Sequence, residues 1–397
     1  MTSTTTINRR RFLQWSGAGT VAMLSTQLTL ESAARAASTM PLPAGTPILV
    51  VVTLYGGNDG LNTVVPFTDP TYLSARANIA LSGSQLLPIS DTLAFNASMP
   101  EISALYNQNK VAIIQGVGYP EPNLSHFTSM GIWQTASMTA AVSSGWLGRW
   151  LDLQPHSPFT AIGVGSVLPP LLVGEKTVAS MLNLGGMSLP SGPGSAYLPR
   201  LGHRSLSDVP LEASAATSIS DLFSTAQVIG PLMHSSPSGS YLDQQMSLVS
   251  TLINANVPTR VWEVNLSSFD THAGEPSYQN ALLAEVSTAV GNFMTSIGTG
   301  SRASDVSVLL YSEFGRRVDS NASLGTDHGT AAPVLMIGNS VKGGLYGAQP
   351  SLSALDPDGN LVMSTDFRDV YGGVLHDVLH TPVSDVIPSW KSSLSVH

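Results

Sequence analysis

The sequence predicts a mixed α/β fold in which helices cover both faces of a mostly parallel sheet. Short apolar runs rich in β-branched residues, each long enough for one buried strand, alternate along the chain with segments of helical spacing. Loops dense in polar residues adjoin most of these runs. Such alternation is typical of a doubly wound α/β sandwich, whose functional site lies outside the carboxyl ends of the strands.

The predicted elements follow one another in a rhythm of strand, loop, helix and strand. Ile48 to Leu54 is a continuous apolar run that ends at the sequence YGGNDG, as expected of a strand buried on both faces. Met99 to Lys110 has helical spacing, and Val111 to Val117 is the next short strand. The later elements are strands at Val261 to Leu266, Val306 to Tyr311 and Pro333 to Gly338, and a closing helix at Asp366 to Leu379.

The composition is globular and excludes several classes of protein. The 397 residues include 17 Lys and Arg against 26 Asp and Glu, which leaves a formal net charge of −9. Because no basic run follows residue 11, we expect no nucleic-acid partner. The chain has no Cys, so disulfides, thiolate nucleophiles and zinc-thiolate sites are excluded. Any metal must therefore be bound by Asp, Glu, His or Asn.

Residues 1–36 have the pattern of a twin-arginine export signal. Three arginines at Arg9 to Arg11 precede Phe12, an uncharged stretch follows from Trp15 to Leu30, and small residues lie near Ala34 to Ala36. We therefore expect a periplasmic or secreted protein that uses the twin-arginine pathway. The apolar stretch is interrupted by Ser, Gly, Thr and Gln and is too weak for a stable membrane span.

The remaining residues, 45–397, are expected to form one α/β domain. Between about 160 and 240 the pattern changes to Pro, Gly and Ser with only short apolar pieces, which predicts an irregular insertion or cap. Standard catalytic motifs are missing from the sequence: there is no G-x-S-x-G, G-x-G-x-x-G, Walker lysine or H-E-x-x-H. The lack of these motifs disfavours four classes of enzyme: serine esterases, dinucleotide-binding dehydrogenases, P-loop nucleotidases and zincins.

Oxygen and imidazole side chains instead adjoin the predicted strands. Parallel strands expose their carboxyl ends on one side, so groups that are distant in sequence can meet there around divalent ions. In an extended D-x-H segment the Asp and the His also point the same way. The candidate residues lie in five loops, at Asn58 and Asp59, Ser125 and His126, Asp270 and His272, Glu313 and Arg316, and Asp327 and His328.

Each candidate also has an ordinary structural interpretation, which the sequence leaves open. These interpretations are a turn at Asp59, a helix cap at Ser125, a loop hydrogen bond between Asp270 and His272, an ion pair between Glu313 and Arg316, and a plain turn around His328.

Six ordered segments of the chain carry a resemblance to a known family. They are YGGNDGLNTVVP, YPEPNLSHFTSMGIWQTAS, FDTHAGEP, YSEFGRRV, GTDHGTAAPVLMIG and VKGGLYG, and together they span nearly all of the mature chain. They resemble the exported proteins of domain-of-unknown-function family 1501, a branch of the alkaline-phosphatase and sulfatase superfamily. The resemblance implies an alkaline-phosphatase-like three-layer sandwich with a central mostly parallel sheet.

The resemblance also implies a site in which a nucleophile between two divalent metals displaces an anionic ester in line. Ser125 lies where the superfamily has its nucleophile, at the start of a helix whose N-terminus would help to lower the hydroxyl pKa. Arg316, with Arg317, would either clamp the substrate anion or be solvated on the surface. The implied metal ligands are Asp59, Asp270, His272, Glu313 and His328, with Asp327 as a further ligand or as the residue that orients His328.

We therefore expect an exported metal-dependent hydrolase of phosphate or sulfate esters, with Ser125 as nucleophile. One or two divalent ions are implied, of zinc, calcium, magnesium or manganese, and the substrate would be an anionic ester of a small molecule or polysaccharide. The lack of Cys and of an S-x-P-x-R run disfavours a formylglycine sulfatase. Phe314 stands where the superfamily commonly has a His, which favours the alternative of a noncatalytic exported binding or assembly protein on a degenerate scaffold. The sequence does not indicate the oligomeric state.

Overall fold

Helices cover both faces of a central, mostly parallel sheet, so the predicted mixed α/β fold class is confirmed. The computed structural model describes residues 41–138, 142–184, 198–205, 208–229, 239–298 and 300–397. Within these residues the sheet has nine strands. In spatial order they are β13 (Gly344–Tyr346), β5 (Val111–Gly118), β12 (Ala332–Gly338), β9 (Val306–Ser312), β1 (Ile48–Leu54), β8 (Val261–Leu266), β6 (Ala161–Val164) and β7 (Ser180–Leu182), and β14 (Thr365–Asp366) also pairs with β5.

Two smaller sheets lie apart from the central sheet. One is antiparallel and consists of β2 (Val64–Val65), β4 (Ala94–Asn96) and β3 (Leu86–Pro88). The other is a hairpin of β10 (Arg316–Ser320) and β11 (Thr326–His328), in which Arg316 lies opposite His328.

The α-helices that follow or connect these strands are α1 (Pro70–Ala75), α2 (Pro100–Asn107), α3 (His126–Thr135), α4 (Trp146–Asp152), α5 (Leu198–Leu201), α6 (Pro210–Ile229), α7 (Tyr241–Asn254), α8 (Glu275–Gly298), α9 (Phe367–Gly373) and α10 (Val383–Val386). The closing helix is capped by Asp366, whose side chain accepts from the backbone N–H of Arg368, and it continues as a π-helical turn at Val374–Val378. Short 3-10 turns lie at Gly60–Asn62, Gly83–Gln85 and Pro170–Leu172.

The strand β1 shows why the chain forms three layers. It is buried along its whole length, and its side chains alternate between two hydrophobic cores. Val50 and Val52 pack into the core that α2, α7 and α8 cover, whereas Leu49 and Val51 pack into the core that α3, α4 and α9 cover. Because both faces are covered, every position of the strand is apolar or otherwise shielded from water, which explains the unbroken apolar run in the sequence.

The strand β12 runs antiparallel to both of its neighbours, β5 and β9, while β1 pairs in parallel with β8 and β9. The reversed direction of β12 affects which residues reach the carboxyl edge of the sheet. Residues that precede an antiparallel strand lie at the same edge of the sheet as residues that follow the parallel ones. The hairpin that ends at His328 therefore comes to the edge where β5, β8 and β9 end.

The segment at about 160 to 240 was predicted as an irregular insertion. It contributes β6 and β7 to the central sheet and also contains α5 and α6. Its limits as an insertion stay a prediction. The predicted export signal at 1–36 lies outside the described residues. No helix within the described part of the chain combines the length and the hydrophobicity that crossing a membrane requires.

Candidate metal centre

One carboxylate oxygen, Oδ1 of Asp270, lies at the centre of a group of three histidines at the carboxyl edge of the sheet. The Nε2 atoms of His272, His328 and His126 lie 3.0, 3.1 and 3.4 Å from it. The ligand atoms of His126, Asp270 and His328 all lie within 4.8 Å of one another, so this His and Asp group could hold a metal ion. Three separate loops bring these residues together: the start of α3, the loop after β8 and the β10–β11 hairpin.

Each imidazole has a hydrogen-bond acceptor at Nδ1, on the side away from the centre of the cluster. A carboxylate or a carbonyl only accepts hydrogen bonds, so a ring that donates from Nδ1 presents the lone pair of Nε2, the atom that a metal ion would bind. Histidines that bind metals are typically held in this way. The three Nδ1 contacts are His126 to Glu313 Oε1 at 2.9 Å, His272 to Asp327 Oδ1 at 3.1 Å, and His328 to the backbone oxygen of Leu124 at 2.8 Å.

The Nε2 atoms face one another and Asp270 Oδ1, as the ligand atoms of a metal site do. The Nε2 atoms of His272 and His328 are 3.0 Å apart. The Nε2 atom of His126 is buried and makes no hydrogen bond with any described residue. Ligand atoms about 2 Å from a tetrahedral zinc ion are about 3.3 Å apart. The observed separations are close to that value, so the donor set fits a transition-metal ion.

The carboxylate of Asp270 is kept ionised by its surroundings. Partial burial alone would raise its pKa, but the hydrogen bond and charge of Arg316, at 2.8 Å, together with His328 and His126, lower the pKa to about 2. An anionic oxygen among three imidazole nitrogens is therefore present throughout the neutral range.

The predicted ligand Glu313 lies behind His126 and does not face the centre. Its side chain is 1% exposed, and besides contacting His126 it accepts from the backbone N–H of Gly56 and from the hydroxyl of Ser312, both at 2.9 Å. Gly56 has a φ of +117° and no space for a Cβ against the backbone of Phe269. The role that the contacts support for Glu313 is to orient His126.

Phe314, the departure from the superfamily pattern, forms an apolar wall beside two of the imidazoles. Its buried ring lies 4.9 Å from the ring of His126 and 5.0 Å from that of His328, measured between ring centres. A Cβ on Gly57, whose φ is +69°, would lie 2.3 Å from the Phe314 ring. The second glycine of the YGGND sequence therefore makes room for this phenylalanine.

Asp59 is the predicted ligand that the structure does not bring to the cluster. Its carboxylate is fully buried in an ion pair with Arg76, which is equally buried, and it also accepts from the backbone N–H of Leu61. Burial opposes ionisation, but the charge and hydrogen bond of Arg76 lower the pKa of Asp59. The nearby carboxyl of Glu275 is affected in the opposite sense, since burial and the charge of Asp59 raise its pKa to about 9. The guanidinium of Arg76 thus neutralises the buried carboxylate of Asp59, in the place of the predicted metal ion.

Arg316 differs from the predicted anion clamp because its guanidinium already has five acceptors. The side chain is fully buried. Its NH groups donate to Asp270 Oδ1 and to the backbone oxygens of Gly56, Gly57, Phe269 and Thr326. These bonds join the loops after β1 and β8 to the β10–β11 hairpin, so Arg316 positions the loops that carry the cluster.

Ser125 occupies the N-cap position of α3, next to His126 in the chain. It is exposed, and its backbone N–H donates to Asn123 Oδ1 at 2.9 Å. Its hydroxyl makes no capping hydrogen bond, so the structure does not support the alternative that this side chain serves as a helix cap. The structure brings Asp270, His272, Glu313, Asp327, His328 and Arg316 together and leaves Asp59 apart. Contrary to the expectation that it orients His328, Asp327 contacts Nδ1 of His272, because the Nδ1 atom of His328 faces the backbone oxygen of Leu124.

The sequence analysis counted His126 among the candidate residues but not among the implied metal ligands, although it is a member of the cluster. The available signal was its place in a loop that follows a predicted strand, which it shares with His272 and His328. Its neighbour Ser125 drew the functional interpretation instead.

Residues 212–375 match the family described as "Protein of unknown function (DUF1501)". This match confirms the family resemblance over the segment that carries Asp270, His272, Glu313, Asp327 and His328. No curated protein matches the chain in sequence.

The chain is similar to several solved structures. One is a protein in the alkaline phosphatase superfamily from Vibrio parahaemolyticus, with 10% identity and a TM-score of 0.41. The similarity covers 88% of this chain and 74% of that chain. Another is the PsFucS1 sulfatase from Pseudoalteromonas sp., at 10% identity, a TM-score of 0.39 and coverages of 92% and 77%. A third is the C-terminal periplasmic domain of EcEptC from Escherichia coli in complex with Zn, at 10% identity, a TM-score of 0.34 and coverages of 74% and 74%.

Proposed function

We propose that this chain, which is related over residues 212–375 to a family of unknown function, is an exported metal-dependent hydrolase of phosphate or sulfate esters. The observation that carries the proposal is the convergence of three imidazole Nε2 atoms on the Asp270 carboxylate, each ring held from behind by an acceptor. Export rests on the arginine pair and the apolar stretch of residues 1–36.

The residues that would hold the ion are His126, Asp270, His272 and His328. Three imidazole nitrogens and one carboxylate suit zinc or a similar transition ion better than calcium or magnesium, which prefer oxygen ligands. A single ion is proposed, because the carboxylate of Asp59 is already neutralised by Arg76. When bound, such an ion polarises an oxygen of the ester and lowers the pKa of a nearby hydroxyl.

The nucleophile in this proposal is the hydroxyl of Ser125. Its Oγ attacks the phosphorus or sulfur atom, the bond to the ester oxygen breaks, and the alcohol leaves with the proton that the serine gives up. Water then cleaves the ester on the serine, which releases phosphate or sulfate and restores the hydroxyl. The N-terminus of α3, at which Ser125 lies, favours the negative charge that develops on the transferred group.

A noncatalytic metal-binding protein is the second candidate, and one observation favours it. Four side chains can complete a tetrahedral coordination without leaving a position for substrate, as in structural zinc sites. Against it, the side chains of Asp270 and His272 are 46% and 44% exposed, so water and small molecules can reach the cluster. Structural sites are usually closed, whereas catalytic sites keep an open position.

Metal analysis of the folded full-length protein, followed by hydrolysis assays, tests both candidates. We expect about one transition-metal ion per chain, lost in His328→Ala and retained in the control His156→Ala, whose imidazole pairs with Asp221 elsewhere on the surface. Assays on aryl phosphate, phosphodiester and aryl sulfate then separate the candidates. Bound metal without turnover supports the noncatalytic protein, and a chain without bound metal contradicts the proposal.

A further inference from the structure

A cavity of about 300 Å³ lies beside the cluster, on the other side of Phe314. It is lined at the end of β5 by residues 118–122, and residues 361–363 and Phe314 form a further part of its wall. Since the ring of Phe314 contacts His126 and His328, Phe314 lies against both the cavity and the candidate metal ligands.

The cavity wall is apolar and aromatic over most of its surface. Tyr119 and Trp133 contribute rings in addition to Phe314, and Leu361 and Met363 contribute aliphatic surface. Walls of this kind bind apolar groups by excluding water from them.

The charged groups that line the cavity are all acidic. Glu121 and Asp356 lie in the wall together with Glu313, and none of the described lining residues is Lys or Arg. A low-dielectric cavity with one sign of charge attracts the opposite sign, and aromatic faces add to the attraction of a cation. An anionic group would meet repulsion there.

The surface around the site is also apolar at two points. Val362 lines the cavity and is 52% exposed, and Phe127, which follows His126 in α3, is 94% exposed. Exposed apolar side chains beside a polar site are typical of places that bind the apolar part of a ligand.

We propose that this cavity binds the alcohol part of the substrate ester and selects a small apolar group that carries a positive charge, such as an aryl or alkyl ammonium. The assignment rests on the proposed function, which supplies the ester chemistry on the far side of Phe314. A cavity of about 300 Å³ is at the lower end of small-molecule sites and has no room for a polysaccharide chain. Acidic lining also disfavours a polyanionic substrate.

Calorimetric titration of the metal-loaded, full-length protein with benzyltrimethylammonium tests the assignment. This probe has the proposed size and charge and has no group that binds a metal ion. We expect saturable binding, at least about tenfold tighter than that of benzyl alcohol, its neutral counterpart. Equal affinities for the two probes would contradict the proposal.

Two substitutions at Val362 probe the charge of the cavity without disturbing the core. Val362→Arg is expected to weaken binding of the ammonium probe at least tenfold, and Val362→Asp is expected to strengthen it. The matched control is Val178→Arg, because Val178 is similarly exposed at 58% and is not part of the cavity wall. An unchanged affinity in Val362→Arg would overturn the assignment.

The metal content of the same samples separates failure of this inference from failure of the proposed function. A chain that holds its ion but does not bind the ammonium probe contradicts the cavity assignment alone. A chain without an ion contradicts the proposed function, and the titration with its Val362 variants still decides whether the cavity binds apolar cations.

Discussion

The Nε2 atoms of His272 and His328 lie 3.0 Å apart, and each ring has another acceptor at its Nδ1 atom. With both Nδ1 atoms protonated, the two Nε2 lone pairs would repel each other at this distance, and the carboxylate of Asp270 would add to the repulsion. A cation between them, either a metal ion or a proton, turns the same geometry into a stable one. The cluster is therefore built to hold positive charge.

The acceptors behind the imidazoles should control metal affinity. Glu313→Gln keeps the size of the side chain but weakens the bond that holds His126, so we expect metal affinity to fall by roughly 10–100-fold. Competition with a chelator of known affinity measures the change. Glu212→Gln, at an exposed position on α6, is the control. An unaltered affinity in Glu313→Gln would remove Glu313 from the site.

Ser125→Ala should abolish ester hydrolysis and leave the metal content unchanged. The side chain is exposed and makes no capping hydrogen bond, so its removal should not affect folding. Turnover of aryl phosphate and aryl sulfate is measured beside elemental analysis of the same sample. The exposed Ser84 provides the control Ser84→Ala. Retained turnover in Ser125→Ala would mean that another group is the nucleophile.

Asp59→Asn should destabilise the protein without releasing metal. Arg76 would be left with an unpaired charge in a fully buried environment, and breaking a buried ion pair in this way costs about 3–5 kcal/mol. Denaturant unfolding measures the free energy of unfolding, and elemental analysis measures the ion. Loss of the ion from folded Asp59→Asn protein would show instead that Asp59 is a ligand.

Glu263 should make the protein less stable as the pH rises. Its side chain is fully buried on β8, and burial raises its pKa from 4.5 to about 8. Between these two values the folded state binds more protons than the unfolded state, so this group lowers the free energy of unfolding by up to about 1.4 kcal/mol per pH unit. The stability that protonated Glu263 preserves is fully present below pH 4.5 and is lost by about pH 8.

Glu263→Gln removes this titration and keeps the shape of the side chain. We expect the variant to gain stability relative to the parent protein at pH 8 and to show a smaller difference at pH 4.5. Denaturant unfolding at both pH values measures the two differences. A stability difference that does not vary with pH would contradict a raised pKa for Glu263.

The export proposal predicts that Arg9→Lys combined with Arg10→Lys retains the protein in the cytoplasm with residues 1–36 uncleaved. The twin-arginine pathway reads this pair of residues. Cell fractionation and the mass of the mature protein measure the effect. Export at the parental level by the double variant would rule the pathway out.

The strands could be predicted from the sequence because their cause is local. In β1, β5, β8 and β9, each side chain meets a covered face of the sheet, so the apolar run itself marks the element. The closeness of Asp270 and His272 was predictable because they are two positions apart, although the segment is turned by the bond from His272 N–H to the Asp270 carbonyl and is not extended as expected.

The partners of each charged group could not be predicted, because they come from distant parts of the chain. Whether Asp59 faces a metal ion or Arg76 depends on how α1 packs, and whether Arg316 is free depends on four backbone oxygens that its own sequence neighbourhood does not reveal. His126 becomes a cluster member only because the start of α3 and the antiparallel β12 bring it and His328 to one edge.

By itself, the sequence determined which residue types were available and which strands would be buried, since hydrophobic periodicity acts over a few neighbours. Tertiary structure alone decided which nitrogen and oxygen atoms converge on Asp270 and which charges are neutralised elsewhere. The physical reason is that electrostatic and hydrogen-bond energies depend on distances of a few ångströms, and for residues 17 to 260 positions apart only the packed fold sets those distances.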